Sequence, residues 1–218
     1  MSTAKPISHA VIRRLPRYYR FLGELLKSGV VRISSRELSE KMGLTASQIR
    51  QDLNCFGGFG QQGYGYNIAE LHKEIGKILG LDKLSDAILI GAGNLGRAVA
   101  NHMDFDNKGF RLIGIFDRNP ELIGQKITGI EVMSSDKIEE FCKKYHPVAA
   151  VLCIPKTATK DLSDRLIAVG IRGFWNFSHY DLLDRHKGIV VENVHMSDSL
   201  MTLSYELNET YSQASCEK

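Results

Sequence analysis

The residues with the plainest chemical purpose are Gly91, Ala92, Gly93, Asn94, Leu95 and Gly96. They follow an apolar run, Asp86-Ala87-Ile88-Leu89-Ile90, and lead into Arg97-Ala98-Val99-Ala100, which continues a helical pattern. A second apolar run, Leu112-Ile113-Gly114-Ile115-Phe116, ends at Asp117, 21 residues beyond Gly96. Strand, glycine turn, helix, strand and acid in this order make a dinucleotide-binding unit. The three glycines do different things. Gly91 permits the tight turn, Gly93 lets backbone approach a pyrophosphate, and Gly96 lets helix and strand pack closely. The helix N-terminus offers free N–H groups and the positive end of its dipole to phosphate. Asp117 can accept hydrogen bonds from ribose hydroxyls and repels a 2′-phosphate, which favours NADH and NAD+ over their phosphorylated forms. Arg118 beside it is the one residue that could accommodate such a phosphate.

A second set of side chains is suited to nucleic acid. Thr45 with Gln48 three residues on reads as a capping box that opens a helix, and Ile49, Leu53 and Phe56 form its apolar stripe. Ser47, Arg50, Gln51 and Asn54 then face away from that stripe, with side chains able to bond base edges in a major groove. Upstream, Arg13, Arg14, Arg17 and Arg20, with Tyr18 and Tyr19 between them, could supply charge to phosphates. Downstream, residues 57–66 hold five glycines among aromatics and read as a hairpin with a tight tip, which would place Gln61, Gly63 and Tyr64 near the DNA backbone or minor groove.

The elements that must position these groups follow from the periodicity. Residues 8–28 read as a helix on Ile12, Leu15, Tyr19, Leu22, Leu25 and Leu26, kinked or split at Pro16. A short extended stretch at 30–33 and a serine-capped helix closed by Gly43 precede the Thr45 helix. Asn67 caps a further helix to Gly80, and 81–84 is the joint. From residue 86 the pattern becomes short strands (87–90, 112–117, 149–154, 173–176, 189–191) alternating with helices (95–104, 135–145, 159–169), which implies a parallel sheet with helical crossovers. A last helix at 197–212 carries Leu200, Leu203, Leu207 and Tyr211 on one stripe. The fold expected is therefore α/β: a winged helix-turn-helix domain at 1–80, a Rossmann parallel-sheet domain at 81–196, and a C-terminal helix and tail at 197–218.

Composition agrees with two domains facing different partners. Residues 1–80 hold 12 basic and 6 acidic residues, a balance of +6, while the remaining 138 hold 16 and 19, a balance of −3. The basic front should face something anionic. No apolar run approaches a membrane span and the first residues lack a signal-peptide core, so a cytoplasmic protein is expected. Cys55, Cys142, Cys153 and Cys216 form no CxxC pair; they read as reduced, the first three as small buried hydrophobes, and no metal site is expected.

Taken together, Arg14-Leu15-Pro16-Arg17-Tyr18-Tyr19, Gln48-Ile49-Arg50-Gln51-Asp52-Leu53, the Phe56-Gly57 to Gly63-Tyr64-Gly65-Tyr66 segment and the glycine fingerprint resemble the Rex family of bacterial redox-sensing repressors. The resemblance runs from about Ile7 to Tyr211. It implies a homodimer that exchanges its last helix between subunits and binds a palindromic operator near genes of NADH oxidation and fermentation. NADH binding would release the DNA, and NAD+ would compete. It also places Cys153-Ile154-Pro155 against the cofactor and Asn176-Phe177-Ser178 at the nicotinamide end. Departures are visible. His102 stands where some members carry tyrosine, and His195 where some carry an aspartate that signals across the dimer. Met196 stands where a large apolar residue packs near nicotinamide, and Gln61 and Gln62 where basic residues are frequent. His102, His195 and Met196 are thus the switch candidates.

Two rival readings remain. One is an NAD-dependent dehydrogenase fused to a DNA-binding domain. The dinucleotide fold uses nearly all of the residues after Leu81, however, leaving no substrate domain. His102, His179, His186 and His195 also sit in no recognisable catalytic motif. The other is a nucleotide-gated protein adaptor. Neither uses the basic front half as fully as a DNA-binding regulator that reads its cofactor as a signal and is not an enzyme.

Overall fold

The computed structural model describes residues 7–56, 60, 61 and 64–216. It divides into two compact units, Met1–Lys83 and Leu84–Lys218.

In the first unit, α1 (His9–Lys27) begins at Ser8, whose hydroxyl accepts the Val11 N–H. The helix runs through Pro16 unbroken, contrary to a split there. Proline in a helix interior costs about 3 kcal/mol. Burial of Leu15, Tyr18 and Leu22 on both sides of it offsets that cost. After β1 (Arg32–Ile33) come α2 (Ser35–Met42) and α3 (Ala46–Asn54). Ser34 and Glu37 form a complete capping box on α2, and Gly43 ends it in the left-handed region at φ 62°. The box expected on α3 is half formed. The Thr45 hydroxyl accepts the Gln48 N–H at 3.1 Å, but the Gln48 side chain turns away to Asp52. Strands β2 (Gly60–Gln61) and β3 (Gly65–Asn67) pair antiparallel, with β1 on the other side of β3, and α4 (Ile68–Ile78) follows. Leu22, Leu38, Ile49, Leu53, Ile68 and Ile75 join in one core. This is a winged helix-turn-helix.

The second unit is a seven-stranded sheet. Its strands are β4 (Ser85–Ile90), β5 (Phe110–Asp117), β6 (Lys126–Ile127), β7 (Ile130–Ser134), β8 (Ala149–Leu152), β9 (Gly173–Asn176) and β10 (Val190–Asn193). Helices α5 (Asn94–His102), α6 (Ile138–Tyr145) and α7 (Lys156–Ala168) connect them, and α8 (Met196–Cys216) ends the unit. The order β10-β9-β8-β4-β5-β7-β6 reverses direction at β4, as in a doubly wound nucleotide-binding sheet. Every pairing is parallel except β6 with β7.

Periodicity did not predict β6 and β7. Their connection, Thr128 at φ 51° and Gly129 at φ 83°, places a β-branched residue in a conformation that favours glycine, so it carries no ordinary turn signature. Two crossovers contain no α-helix: β9 to β10, where none was expected, and β5 to β7, which leads to a strand the periodicity did not reveal. On α8, Leu200, Leu203 and Leu207 are 67%, 50% and 47% exposed. Among the described residues no helix is long and apolar enough to cross a membrane.

Candidate functional site

The glycine turn joins the ends of three neighbouring strands. The Gly91 N–H donates to the Phe116 carbonyl on β5 at 2.8 Å, and the Cys153 N–H beyond β8 donates to Ile90 at 2.8 Å. Gly91 sits at φ 99°; a Cβ there would lie 2.4 Å from the Cys153 carbonyl oxygen. At Gly96 a Cβ would fall 1.7 Å from the Gly91 oxygen, so only glycine lets α5 pack this close to the turn. A Cβ on Gly93 would meet nothing within 4 Å. Nothing among the described residues therefore requires glycine at 93. No side chain caps α5 at Gly93, which leaves first-turn N–H groups open to an anion.

Asp117 holds this arrangement from β5. Its Oδ2 accepts the Ala92 N–H at 2.6 Å and its Oδ1 accepts the Asn119 N–H at 2.8 Å. A carboxylate has about four lone-pair sites, so acceptor capacity remains for a diol. Gly91, Gly93, Asp117, Cys153, Ile154 and Pro155 line one cleft of about 340 Å³. The cleft also recruits residues that sequence reasoning missed: Ser135, and Ala158, Asp161, Leu162 and Arg165 of α7. Arg165 is steadied by Glu139 through hydrogen bonds of 2.5 and 2.9 Å. The signal for them was the position of α7 directly after Pro155, earlier than the expected start at 159.

Asn176 lies buried at the end of β9. Its Nδ2 donates to the Tyr180 carbonyl and to Asn193, both at 2.8 Å, and its Oδ1 accepts from the Ser178 hydroxyl at 2.6 Å. It is thus the hub of the turn carrying Phe177 and Ser178. His195 meets His179, with Nδ1 atoms 2.8 Å apart and the rings stacked. His102 ends α5 exposed, and Met196, the first residue of α8, is 59% exposed.

Burial pushes the Cys153 thiol up to about 12 and that of Cys142 up to about 11. Both therefore stay protonated at neutral pH, and thiolate is the reactive form. Cys55 is exposed, unlike the buried hydrophobe expected from its type. Iodoacetamide at pH 8 should label Cys55 quickly and leave Cys142 and Cys153 unmodified in the folded chain, which peptide mass mapping will read. Rapid labelling of Cys153 would contradict this assignment. Among the described residues no cluster of three or more His, Cys, Asp or Glu could hold a metal ion.

In the first unit, Ser47, Arg50, Gln51 and Asn54 all lie exposed on α3, opposite buried Ile49 and Leu53. Arg50 is steadied by the Ser35 hydroxyl at 3.1 Å. Arg13, Arg17 and Arg20 form an exposed stripe along α1.

Arg14 and Tyr18 depart from the expectation that they face DNA. Tyr18 is fully buried, and its hydroxyl donates to Asp52 Oδ2 at 3.0 Å. Arg14 forks onto the same carboxylate, Nε to Oδ2 and Nη2 to Oδ1, both at 2.7 Å. The reason is a one-residue rotation of the buried face. It runs through Val11, Leu15, Tyr18, Leu22 and Leu25, not through Tyr19.

Tyr64 is exposed at the wing, where the Arg32 guanidinium donates to its carbonyl at 3.3 Å and lies over its ring. Nothing in the sequence singles out Arg32, because a lone arginine in a two-residue strand carries no pattern. Gly63 and the Gln61 side chain lie outside the described residues.

Known proteins share both halves. Residues 6–54 match a family model described as a putative DNA-binding protein N-terminus, and residues 82–180 one described as a CoA binding domain. A redox-sensing transcriptional repressor Rex from Caldanaerobacter subterraneus subsp. tengcongensis is 59% identical over 209 residues, 96% of this chain and 93% of that protein. The Rex of Clostridioides difficile is 56% identical over 205 residues, 94% of this chain and 97% of that one. Among solved structures, RSP in complex with β-NAD+ and operator DNA superposes with a TM-score of 0.86 at 56% identity, covering 97% of each chain. RSP with β-NADH gives 0.88 at 55%, covering 95% of this chain and 97% of that one. With relatives this similar over nearly the whole of both chains, the protein belongs to the Rex family of redox-sensing transcriptional repressors.

Proposed function

We propose that this chain works as a homodimer on a palindromic operator in the cytoplasm, that NADH binding at the Gly91–Gly96 turn releases it, and that NAD+ competes for the same site. It is a regulator and not an enzyme: the repressor it resembles matches 96% of the chain. The observation that carries the reading is the pairing, in one chain, of an exposed polar face on α3 with a glycine turn held by Asp117. The first suits base edges and the second suits a dinucleotide. Arg13, Arg17 and Arg20 supply phosphate contacts, and Tyr64 sits at the wing. His195 and Met196 link the nicotinamide side to the start of α8, so a change at the nicotinamide can reach the dimer helix. NADH and NAD+ differ only at that ring, so discrimination between them belongs to this end and not to Asp117.

The ligand shifts DNA affinity only by its differential affinity for the two dimer geometries. A coupling of about 1–3 kcal/mol gives roughly 5- to 150-fold release, and DNA weakens NADH binding by the same factor. The test is operator binding titrated against NADH at several fixed NAD+ levels, using a duplex recovered from a random pool by the protein itself. The NADH concentration for half-release should rise in proportion to NAD+. Equal operator affinity with and without saturating NADH would refute the proposal.

A further inference from the structure

The acid of the recognition helix faces inward. Asp52 is 1% exposed on α3, yet it is ionic and receives four hydrogen bonds. Two come from Arg14 and one from Tyr18, both on α1, and the fourth from Gln48 in the first turn of α3 at 2.8 Å. Burial pushes the Asp52 carboxyl up, but the bonds from Arg14, Gln48 and Tyr18 outweigh it and hold the group below the ordinary carboxylate range.

An apolar residue would pack α3 against α1 as well, because a buried ion pair often adds little net stability over hydrophobic residues of similar size. What a forked Arg–carboxylate pair adds is geometry: two parallel bonds fix distance and angle together. Asp52 lies between Gln51 and Leu53, and Arg14 between Arg13 and Leu15, so each partner sits next to an exposed residue of its own helix.

We propose that Asp52 is a positioning residue for operator discrimination: by gripping Arg14 and Tyr18 it sets the rotation of α3 relative to α1. The base-reading face of α3 then comes into register with the phosphate-facing stripe Arg13, Arg17 and Arg20. The inference rests on the recognition-helix reading above. Phosphate contacts hold a protein on any duplex, while base contacts select the sequence. Loosening the register therefore weakens the selected site and spares the rest.

The test uses the full-length chain and two duplexes, the palindrome recovered from a random pool by the wild-type protein and a scrambled version of it. Asp52→Asn should weaken binding to the palindrome about tenfold, the size of losing one good base contact. It should change binding to the scrambled duplex by less than about twofold and leave NADH affinity unaltered, since a spared phosphate stripe carries non-specific binding. Arg14→Lys keeps the charge without the fork, and Tyr18→Phe removes one donor. Both should move the same ratio in the same direction, and they serve if Asp52→Asn does not fold. Leu71→Ala in α4, a core change distant in sequence from the pair, should lower the melting temperature without altering the ratio at a temperature where the protein is folded.

The proposal is overturned if the folded variants at 14, 18 and 52 keep the wild-type ratio, or if Leu71→Ala lowers it equally. Gln51→Ala and Arg50→Ala separate the two levels. If they too leave the ratio intact, the reading of α3 itself fails and takes the inference with it. If they lower it and the variants at 14, 18 and 52 do not, only the inference fails.

Discussion

Replacing Gly93 with alanine is expected to leave the fold intact and abolish the response to NADH. A methyl group there meets no protein atom within 4 Å and φ at Gly93 is −70°, so neither packing nor backbone opposes it. On the proposed placement of the cofactor, the same methyl would stand where backbone must come close to the pyrophosphate. We expect at least about 3 kcal/mol of lost NADH affinity, roughly 100-fold. The melting temperature should move by no more than about 2 °C, since substitutions that touch nothing usually cost under about 0.5 kcal/mol. The variant should also repress constitutively, because its DNA-binding unit is untouched.

Gly96→Ala is the contrasting case. Its Cβ would lie 1.7 Å from the Gly91 oxygen, so the turn must shift and the second unit should lose stability as well as cofactor. Calorimetric titration with NADH beside thermal melts of both variants separates the two roles. Wild-type NADH affinity in Gly93→Ala would overturn the placement of the pyrophosphate over the turn.

The second large effect concerns α8. Leu200, Leu203 and Leu207 repeat at steps of three and four and present one apolar stripe, each about half exposed or more. Burying a leucine side chain contributes roughly 1.5–3 kcal/mol. A stripe of three leucines left in water is a strong drive toward a second copy. Leu203→Glu combined with Leu207→Glu should leave a monomer at micromolar concentration, visible by sedimentation. Losing the linked second half-site should weaken binding to the palindrome by about 10²–10⁴-fold. NADH binding to the monomer should persist, since the glycine turn, Asp117 and Asp161 lie outside α8. A stable dimer, or unaltered operator affinity in the monomer, would rule out α8 as the dimer element.

The legible part of this molecule was its repeating part. β4, β5, β8 and β9 announce themselves as apolar runs because each is buried among neighbouring strands, and the caps at Ser34 and Asn67 act within three residues of themselves. The glycine turn was legible for a related reason: its spacing falls within one strand–helix unit, although only Gly96 is required by that unit's own backbone, while Gly91 faces the Cys153 carbonyl. What escaped depends on distance in sequence or on an unusual backbone. Leu15 and Leu22 are compatible with a helix face through either Tyr18 or Tyr19. The choice is made by Asp52, 34 residues from Tyr18, which gives a buried hydroxyl its partner. The same carboxylate takes Arg14 off the surface and draws Gln48 from its cap. By spacing, Asp52 falls beside Ile49 and Leu53 on the inward side of its helix, but nothing near it in sequence reveals Arg14 and Tyr18 as its partners. The β6–β7 hairpin escaped because Thr128 adopts a conformation its type disfavours. Arg165 and Asp161 escaped because they sit on the outer turns of α7, where the linear motif has already ended.

Asp117 has a consequence for time. Its two carboxylate oxygens bind the backbone of the turn and of the segment after β5, so protein bonds brace this edge of the cleft. A ligand that meets a preformed site pays little for ordering it, and its association is limited by encounter and orientation more than by folding. Occupancy can then relax as fast as the nucleotide dissociates. A sensor built this way follows the running composition of the pool and keeps little memory of its earlier state. On the proposed mechanism, the slower steps in its response lie downstream, in the dimer's change of geometry and its departure from DNA.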